Sequence, residues 1–220
     1  MNIRVFAHPS TILIAGPTGS GKTRFISAVL KSRLIHPFPS RIVYVYSEWQ
    51  PAYQQLQSHF PHIEFVQGWS DEIYNLFPEY VSSHKSTRNL LILDDIMTSA
   101  HNSKILKDLF TKGSHHRDLT VIYLVQNLFD QGSAMRTVSL NAQYIVLFRN
   151  NRDKSQVRYL AQQVAPNNMR FIMDMYEDAT RNAFGYVMFD FLPSIRDELR
   201  IKTGILPGEK IFGYVEHMGI

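Results

Sequence analysis

The sequence predicts an α/β fold in which helices flank a central, mostly parallel β-sheet. Short apolar runs alternate along the chain with segments whose apolar residues recur at helical spacing, which is typical of this class. Several runs are apolar without alternation, as expected for strands that are covered on both faces. With 220 residues and 45% apolar content, the chain suits one domain, with a core at about 11–203 and an ambiguous tail at 204–220.

The first predicted strand covers residues 11–15 (TILIA) and runs directly into a glycine-rich segment. A helix should follow that segment, because Phe25, Ile26 and Val29 recur at helical spacing. Further strands are predicted at 42–46, 63–66, 90–93, 119–125, 144–148 and 185–191. Further helices are predicted from Ser70 onward, at 103–112 with an end at Gly113, at 155–164 and at 168–179.

The composition argues against several classes of function. The chain has no cysteine, which removes disulfides, thiolate zinc sites and thiol nucleophiles. No apolar run approaches the roughly 18 residues that a membrane span needs, and the first residues do not resemble a secretory signal. We therefore expect an intracellular protein without a membrane partner. The net charge of +4 is compatible with binding to nucleic acid.

Residues 16–23 read GPTGSGKT and match the phosphate-binding pattern G-x-x-x-x-G-K-[ST] in full. The match lies between a predicted strand and a predicted helix, where backbone N–H groups of such a loop can hold phosphates. Lys22 can reach the β- and γ-phosphates, and the Thr23 hydroxyl can bind Mg²⁺. The alternative is a glycine-rich turn without a ligand. The predicted phosphate-binding residues are Gly16, Pro17, Thr18, Gly19, Ser20, Gly21, Lys22 and Thr23.

Polar residues that follow two later strands provide the other half of such a site. Asp94 ends the buried run LLIL and can hold the metal beside the loop. Asp95 takes the position of the residue that orients or deprotonates the attacking water, although many related ATPases have the longer glutamate there. The alternative for Asp95 is a helix N-cap. Gln126 can sense the γ-phosphate or position the water, or it can simply satisfy backbone groups at the strand end.

The segment 113–118 (GSHHRD) precedes the strand that ends at Gln126. If subunits pack in a ring, Arg117 can reach a neighbour's nucleotide as an arginine finger supplied in trans. The alternative is a solvated loop arginine. His115 and His116 are adjacent, but the sequence offers no evident third ligand, and we do not predict a metal site there.

Five segments together resemble a known superfamily. They are GPTGSGKT (16–23), YVYSEWQPAY (44–53), LLILDDIM (90–97), LFTKGSHHRDLTVIYLVQNLFDQG (109–132) and SLNAQYIVLFRNNRDKSQ (139–156). The chain is similar, over roughly 11–203, to the FtsK–HerA superfamily. Within it, the resemblance is to genome-packaging ATPases of poxviruses, other large double-stranded DNA viruses and Polinton (Maverick) elements, including adintoviruses. The histidine–arginine segment leading into a strand that ends in glutamine is its most specific part.

The resemblance implies a RecA-like P-loop NTPase of the ASCE type, with ATP and Mg²⁺ as cofactors. It further implies a homo-oligomeric ring, often a hexamer, that moves double-stranded DNA independently of sequence into a preformed capsid. Capsid proteins would be further partners, and the protein would act where virions assemble, in the host nucleus or cytoplasm. The implied catalytic residues are Lys22, Asp95, Arg117 and Gln126, and the implied metal ligands are Thr23 and Asp94. Glu48 lies near the nucleotide in this family without a role that we can assign.

Other functions remain open at this point. A small-molecule or nucleoside kinase would also use a P-loop, with a lid built from Arg149, Arg152 and Arg158. A nucleotide-gated assembly factor with little turnover would fit the short Asp95. The basic residues that could contact DNA, each of which could equally be an ordinary surface charge, are Lys104, Lys107, Lys112, Arg152, Lys154, Arg158, Arg170 and Arg181.

Overall fold

The computed structural model describes residues 5–77, 87–96, 103–129 and 133–216. The strands are β1 (Phe6–Ala7), β2 (Thr11–Ala15), β3 (Ile35–His36), β4 (Arg41–Tyr46), β5 (Ile63–Gln67), β6 (Asn89–Asp94), β7 (Leu119–Val125), β8 (Tyr144–Phe148), β9 (Tyr186–Asp190), β10 (Ile201–Thr203) and β11 (Phe212–Gly213). The α-helices are α1 (Lys22–Lys31), α2 (Pro51–His59), α3 (Lys104–Asp108), α4 (Ser114–His116), α5 (Ser133–Asn141), α6 (Ser155–Val164) and α7 (Met169–Ala179).

The described strands form one large sheet with the order β11-β10-β9-β8-β2-β7-β6-β4-β5, beside a small parallel pair of β1 and β3. The strands from β8 to β5 in this order run parallel to one another. Their carboxyl ends therefore lie at one edge of the sheet, which is where ligands bind in folds of this kind. The predicted α/β class with a mostly parallel sheet is confirmed.

The strands β9, β10 and β11 extend the sheet in antiparallel fashion. Phe148, the last residue of β8, pairs with Tyr186, the first residue of β9. The turn that precedes β9 therefore lies at the same edge as the carboxyl end of β2. The β11 strand belongs to the tail, so part of the tail joins the main sheet. The division into a core and a tail stays a prediction.

The central position of β2 explains its uninterrupted apolar sequence. Its alternate side chains enter two separate clusters, with Leu13 and Ala15 on one face and Ile12 and Ile14 on the other. All five residues of the strand are buried. Burial of each large aliphatic side chain contributes about 1.5–3 kcal/mol, so β2 is firmly held where it enters the glycine-rich loop.

The helix predicted at 103–112 does not end at Gly113, and this prediction is wrong. The α3 helix continues into a π-helical turn over Leu109–Gly113 and then into α4. Gly113 has a helical φ of −62°. A Cβ at this position would lie 2.9 Å from a carboxylate oxygen of Asp108 and 3.0 Å from its carbonyl oxygen. The glycine therefore permits close packing inside the helix and does not terminate it.

The helix predicted from Ser70 is a 3₁₀ helix over Asp71–Leu76. The Ser70 hydroxyl caps it by accepting a hydrogen bond from the Glu72 N–H at 3.1 Å. Among the elements that were not predicted are α2, which begins with Pro51 at its first turn, and the two-residue strands β1 and β3. Within the described ranges, no helix is both long enough and apolar enough to cross a bilayer.

Candidate nucleotide-binding site

The loop that joins β2 to α1 has a backbone that requires glycine. Gly19 and Gly21 have φ values of +78° and +104°, which side chains rarely allow. A Cβ on Gly16 would lie 2.7 Å from the Phe148 Cβ and 2.8 Å from the Ser20 hydroxyl oxygen. The Gly16 N–H donates to the Val125 carbonyl at 3.1 Å, which fixes the loop to β7. The loop can therefore turn tightly with its backbone amides accessible to an anion.

The N-terminus of α1 suits a bound phosphate. The helix begins at Lys22, and its N-cap residue Gly21 provides no side-chain hydrogen bond. The first turn lies wholly within the described residues and contains no acidic side chain. Its free N–H groups and the helix dipole therefore favour an external anion. The buried side chains of Phe25 and Ile26 hold this end of the helix on the sheet.

The Lys22 side chain curls back over the loop. Its ammonium group donates to the Gly16 carbonyl at 2.5 Å and to the Pro17 carbonyl at 3.2 Å. Burial lowers the pKa of Lys22, and the charges of Asp94 and Asp95 oppose this shift. A phosphate in the loop would offer this ammonium group a stronger acceptor than either carbonyl.

Asp94 ends β6 and is only 3% exposed. One oxygen of its carboxylate, Oδ2, accepts hydrogen bonds from the hydroxyls of Tyr44 at 2.7 Å and Tyr53 at 2.9 Å. The Thr23 hydroxyl donates to the same oxygen at 3.5 Å. The two predicted metal ligands, Thr23 and Asp94, therefore lie side by side, and their role in binding a metal stays a prediction.

The surroundings of Asp94 act on its charge in opposite directions. Burial raises the pKa of this carboxyl group, whereas the hydrogen bonds from Tyr44 and Tyr53 and the charge of Lys22 lower it. The same burial and the nearby carboxylate raise the pKa of Tyr44, which keeps its phenol protonated as a donor. The tyrosine pair therefore partly offsets the desolvation of a carboxylate that sits almost completely out of water.

Asp95 and Gln126 meet at the carboxyl edge of the sheet. The Gln126 amide nitrogen donates to the Asp95 carboxylate at 3.1 Å, and both residues are exposed. Asp95 has a φ of +54°. Aspartate tolerates this left-handed conformation better than glutamate, which gives a physical reason for the shorter acid at this position. The alternative role of Asp95 as an N-cap involves residues 97 and 98, which lie outside the described residues, and its catalytic role stays a prediction.

These residues surround a pocket of about 240 Å³. Its lining includes the phosphate loop, both aspartates, Gln126 and also Gln50, which precedes α2. Oxygen donors such as the Thr23 hydroxyl and the Asp94 carboxylate suit Mg²⁺, which binds few protein ligands and keeps phosphate and water oxygens. Within the described ranges, no group of three or more histidines or acids could hold a metal unaided. The residues therefore fit a magnesium ion bound jointly with phosphates.

Arg117 lies apart from this pocket. Its side chain is buried, 8% exposed, with the guanidinium carbon 3.8 Å from the centre of the Tyr74 ring. The guanidinium group also donates to the Phe77 carbonyl. In this conformation Arg117 connects α4 and β7 to the segment 71–77 of its own subunit. A finger role would require these contacts to break, so the assignment stays a prediction that the geometry does not favour.

The other predicted positions lie on the surface. Glu48, which the resemblance placed near the nucleotide, is exposed. Gln50, two residues later, lines the pocket. Four of the candidate DNA contacts form ion pairs with neighbouring acids, namely Lys112, Lys154, Arg170 and Arg181. Arg149, a proposed lid residue of the kinase alternative, donates to Asn151 and to the Arg181 carbonyl. Its position is therefore set by local contacts of the fold.

Sequence reasoning missed the roles of Tyr44 and Tyr53. Tyr44 lies in a buried apolar strand, where a phenol needs a hydrogen-bond partner. A tyrosine in such a strand therefore indicates a buried polar contact, but the sequence does not identify its partner, Asp94, which is 50 residues away. Only the register of β4 against β6, which pairs Tyr44 with Ile92, brings the two groups together.

Comparisons with known proteins agree with this geometry. The family model described as poxvirus A32 protein matches residues 3–182. The DNA-packaging ATPase B204 of Sulfolobus turreted icosahedral virus is 14% identical, with a TM-score of 0.59 over 98% of this chain and 100% of that chain.

B204 of Sulfolobus turreted icosahedral virus 2 is similar in two solved complexes. With sulfate it is 14% identical, with a TM-score of 0.59 over 95% of this chain and 98% of that chain. With ATP-gammaS it is 13% identical, with a TM-score of 0.53 over 89% of this chain and 96% of that chain. At such identities the structural similarity establishes the fold alone. No curated protein is significantly similar in sequence.

Proposed function

Because this chain belongs to the poxvirus A32 protein family, we propose that it is an ATPase that drives viral DNA into a capsid. The proposal includes a ring of identical subunits that moves double-stranded DNA without reading its sequence. Its site of action would be the place in the host cell where virions assemble. The packaging ATPases with the same fold, named above, support this assignment.

One observation carries the enzymatic part of the proposal. The phosphate loop, the Asp94 carboxylate and the Asp95–Gln126 pair line a single pocket, although they come from three different parts of the sequence. In the proposed reaction the loop and Lys22 bind the triphosphate and stabilise the charge that develops on the transferred phosphoryl group. A magnesium ion held by Thr23 and Asp94 would neutralise phosphate charge in the same pocket.

The Asp95–Gln126 pair would act on the attacking water. Asp95 would accept a hydrogen bond or a proton from it, and the Gln126 amide would hold Asp95 and the water in place. Gln126 Nε2 already donates to Asp95 Oδ1, so the two side chains are oriented toward each other. Because both are exposed at the mouth of the pocket, water has direct access to them.

The experiment measures steady-state ATP hydrolysis by the purified protein with and without double-stranded DNA. A packaging motor should hydrolyse ATP faster when DNA is present, and Lys22→Ala should abolish both rates. A kinase would instead be stimulated by a phosphoryl acceptor, and an assembly factor would turn over slowly under every condition. Hydrolysis that DNA leaves unchanged would contradict the motor.

A further inference from the structure

A second, larger cavity of about 840 Å³ lies next to the phosphate loop. It shares Gly21 and Arg24 with the phosphate pocket. Its other walls come from the turn between α7 and β9 and from the C-terminal segment 203–214. The family resemblance assigned no role to this segment.

The C-terminal wall is fixed to the rest of the fold by hydrogen bonds. The N–H groups of Ile205 and Leu206 donate to the Tyr186 hydroxyl at 2.9 and 3.2 Å. The Tyr214 hydroxyl donates to the Asp178 carboxylate at 2.9 Å, which ties the end of the segment to α7. The C-terminal wall of the cavity is therefore held in a defined position.

The orientation expected for a bound nucleotide places its sugar and base on the side of this cavity. Asp95 follows β6 and Gln126 follows β7, and both strands lie on the same side of β2. In the proposed function the terminal phosphate therefore lies on this side. The larger cavity lies on the opposite side of β2, beside β8 and β9. A nucleotide whose last phosphate faces Asp95 therefore extends its sugar and base toward the cavity.

Phe184 presents an aromatic surface in this cavity. It is 53% exposed, although it is a large apolar residue, and its φ of +60° is uncommon outside glycine. Its ring lies so close to the loop that a Cβ on Gly21 would be 3.1 Å from the Phe184 Cδ1 atom. The Arg24 guanidinium carbon is 5.6 Å from the ring centre. The ring is therefore placed directly where the nucleotide would leave the loop.

We propose that this cavity binds the base and ribose of ATP and that Phe184, backed by Arg24, is the stacking surface for the base. The inference rests on the proposed function, because it requires a triphosphate in the loop. It gives the C-terminal segment a role as the outer wall of the nucleotide site. An aromatic ring suits this task because every base has a π-face on which it can stack.

Trp49 is also an exposed aromatic residue near the phosphate pocket, because it directly precedes Gln50, which lines that pocket. Its ring already makes edge contacts with Tyr46, Tyr53 and Phe65, at centroid distances of 5.3–5.6 Å. It also follows β4, on the Asp95 side of the loop. Trp49 is therefore a suitable control, since removing it should not affect a base on the other side.

The test compares binding of ATP with binding of inorganic tripolyphosphate, each with Mg²⁺, by isothermal titration calorimetry. Phe184→Ala should weaken ATP binding by about 5- to 150-fold, the usual effect of removing a stacking ring, and leave tripolyphosphate binding unchanged. Phe184→Asn, which tolerates the left-handed backbone, should behave in the same way, whereas Phe184→Tyr should keep the wild-type affinity. Trp49→Ala should change neither affinity.

Three results would overturn the inference while leaving the proposed function intact. The first is an unchanged ATP affinity in both Phe184→Ala and Phe184→Asn. The second is a loss of ATP affinity in Trp49→Ala instead. The third is an equal loss of ATP and tripolyphosphate affinity in the Phe184 variants, which would show damage to the loop. If the wild-type protein binds neither compound, the proposed function itself fails.

Discussion

Replacing Tyr44 or Tyr53 by phenylalanine removes one hydrogen bond from the buried Asp94 carboxylate and little else. Tyr44 is 0% and Tyr53 1% exposed, so the aromatic ring keeps its packing in either variant. A hydrogen bond to a charged group contributes about 1.5–3 kcal/mol. We therefore expect each single variant to lose about 1.5–3 kcal/mol of unfolding free energy. In a chain of this size that corresponds to a drop in Tm of about 3–12 °C.

The double variant should lose more than the sum of the two single variants. Each single variant leaves the other tyrosine as a donor to Asp94 Oδ2, whereas the double variant leaves, among the described side chains, the Thr23 hydroxyl at 3.5 Å. Coupling of about 0.5–3 kcal/mol is usual for residues that share a partner. Urea unfolding followed by circular dichroism measures all these free energies.

Tyr159→Phe is the matched control, since Tyr159 is 57% exposed on α6 and should leave the unfolding free energy unchanged. Single variants of Tyr44 and Tyr53 within about 0.5 kcal/mol of the wild type would refute the reasoning, because surface substitutions already cause changes of that size. Additive losses in the double variant would show that the tyrosines do not act on a common carboxylate.

Three further predictions concern other sites. Asp95→Asn should keep ATP affinity and lose turnover by roughly 100-fold or more, the usual size of general-base effects; unchanged turnover would remove Asp95 from the reaction. Arg117→Ala should lower the unfolding free energy by about 1.5–3 kcal/mol, because the Phe77 carbonyl loses a charged donor. Rescue of Arg117→Ala in mixed rings by subunits that keep Arg117 but cannot themselves hydrolyse ATP would instead support a finger in trans. Burial lowers the pKa of His8 below 6.5, so the folded chain binds this proton less readily than the unfolded chain. The free energy of unfolding should therefore fall as the pH drops below about 6.5, by at most about 1.4 kcal/mol per pH unit. Urea titrations at several pH values should show a smaller dependence of this free energy on pH for His8→Gln than for the wild type. An unchanged dependence would contradict the prediction.

The sequence was sufficient to predict the parallel part of the fold. Strands such as β2, β6 and β8 are continuous apolar runs because they are covered on both faces, and that property is visible in a single segment. The helix end predicted at Gly113 was wrong because a glycine that ends a helix and a glycine that allows close packing within one look the same in the sequence. Their difference depends on Asp108, whose atoms lie where a Cβ would be placed.

Local motifs also explain which parts of the site were predictable. The loop at 16–23 and Asp94 could be predicted because each directly follows an apolar run that is typical of a buried strand. Membership of the poxvirus A32 family confirms the resemblance on which the remaining assignments were based. The positive φ of Asp95 is a backbone property that the residue type alone does not reveal.

Contacts between distant segments were not predictable. The buried position of Arg117 depends on Tyr74 and Phe77, about 40 residues earlier in the chain. The cavity beside Gly21 likewise depends on Phe184, which the pairing of β9 with β8 brings back to the loop. No single segment contains the information for either arrangement.

The central claim, that a triphosphate with Mg²⁺ binds in the loop between β2 and α1, is tested most directly by measuring ATP affinity in Lys22→Ala. Calorimetry with Mg²⁺ present should show a loss of more than about tenfold, because Lys22 provides a charged hydrogen bond to the phosphates. Arg196→Ala, which removes an exposed positive charge elsewhere, should bind ATP like the wild type. Wild-type ATP affinity in Lys22→Ala would contradict the account.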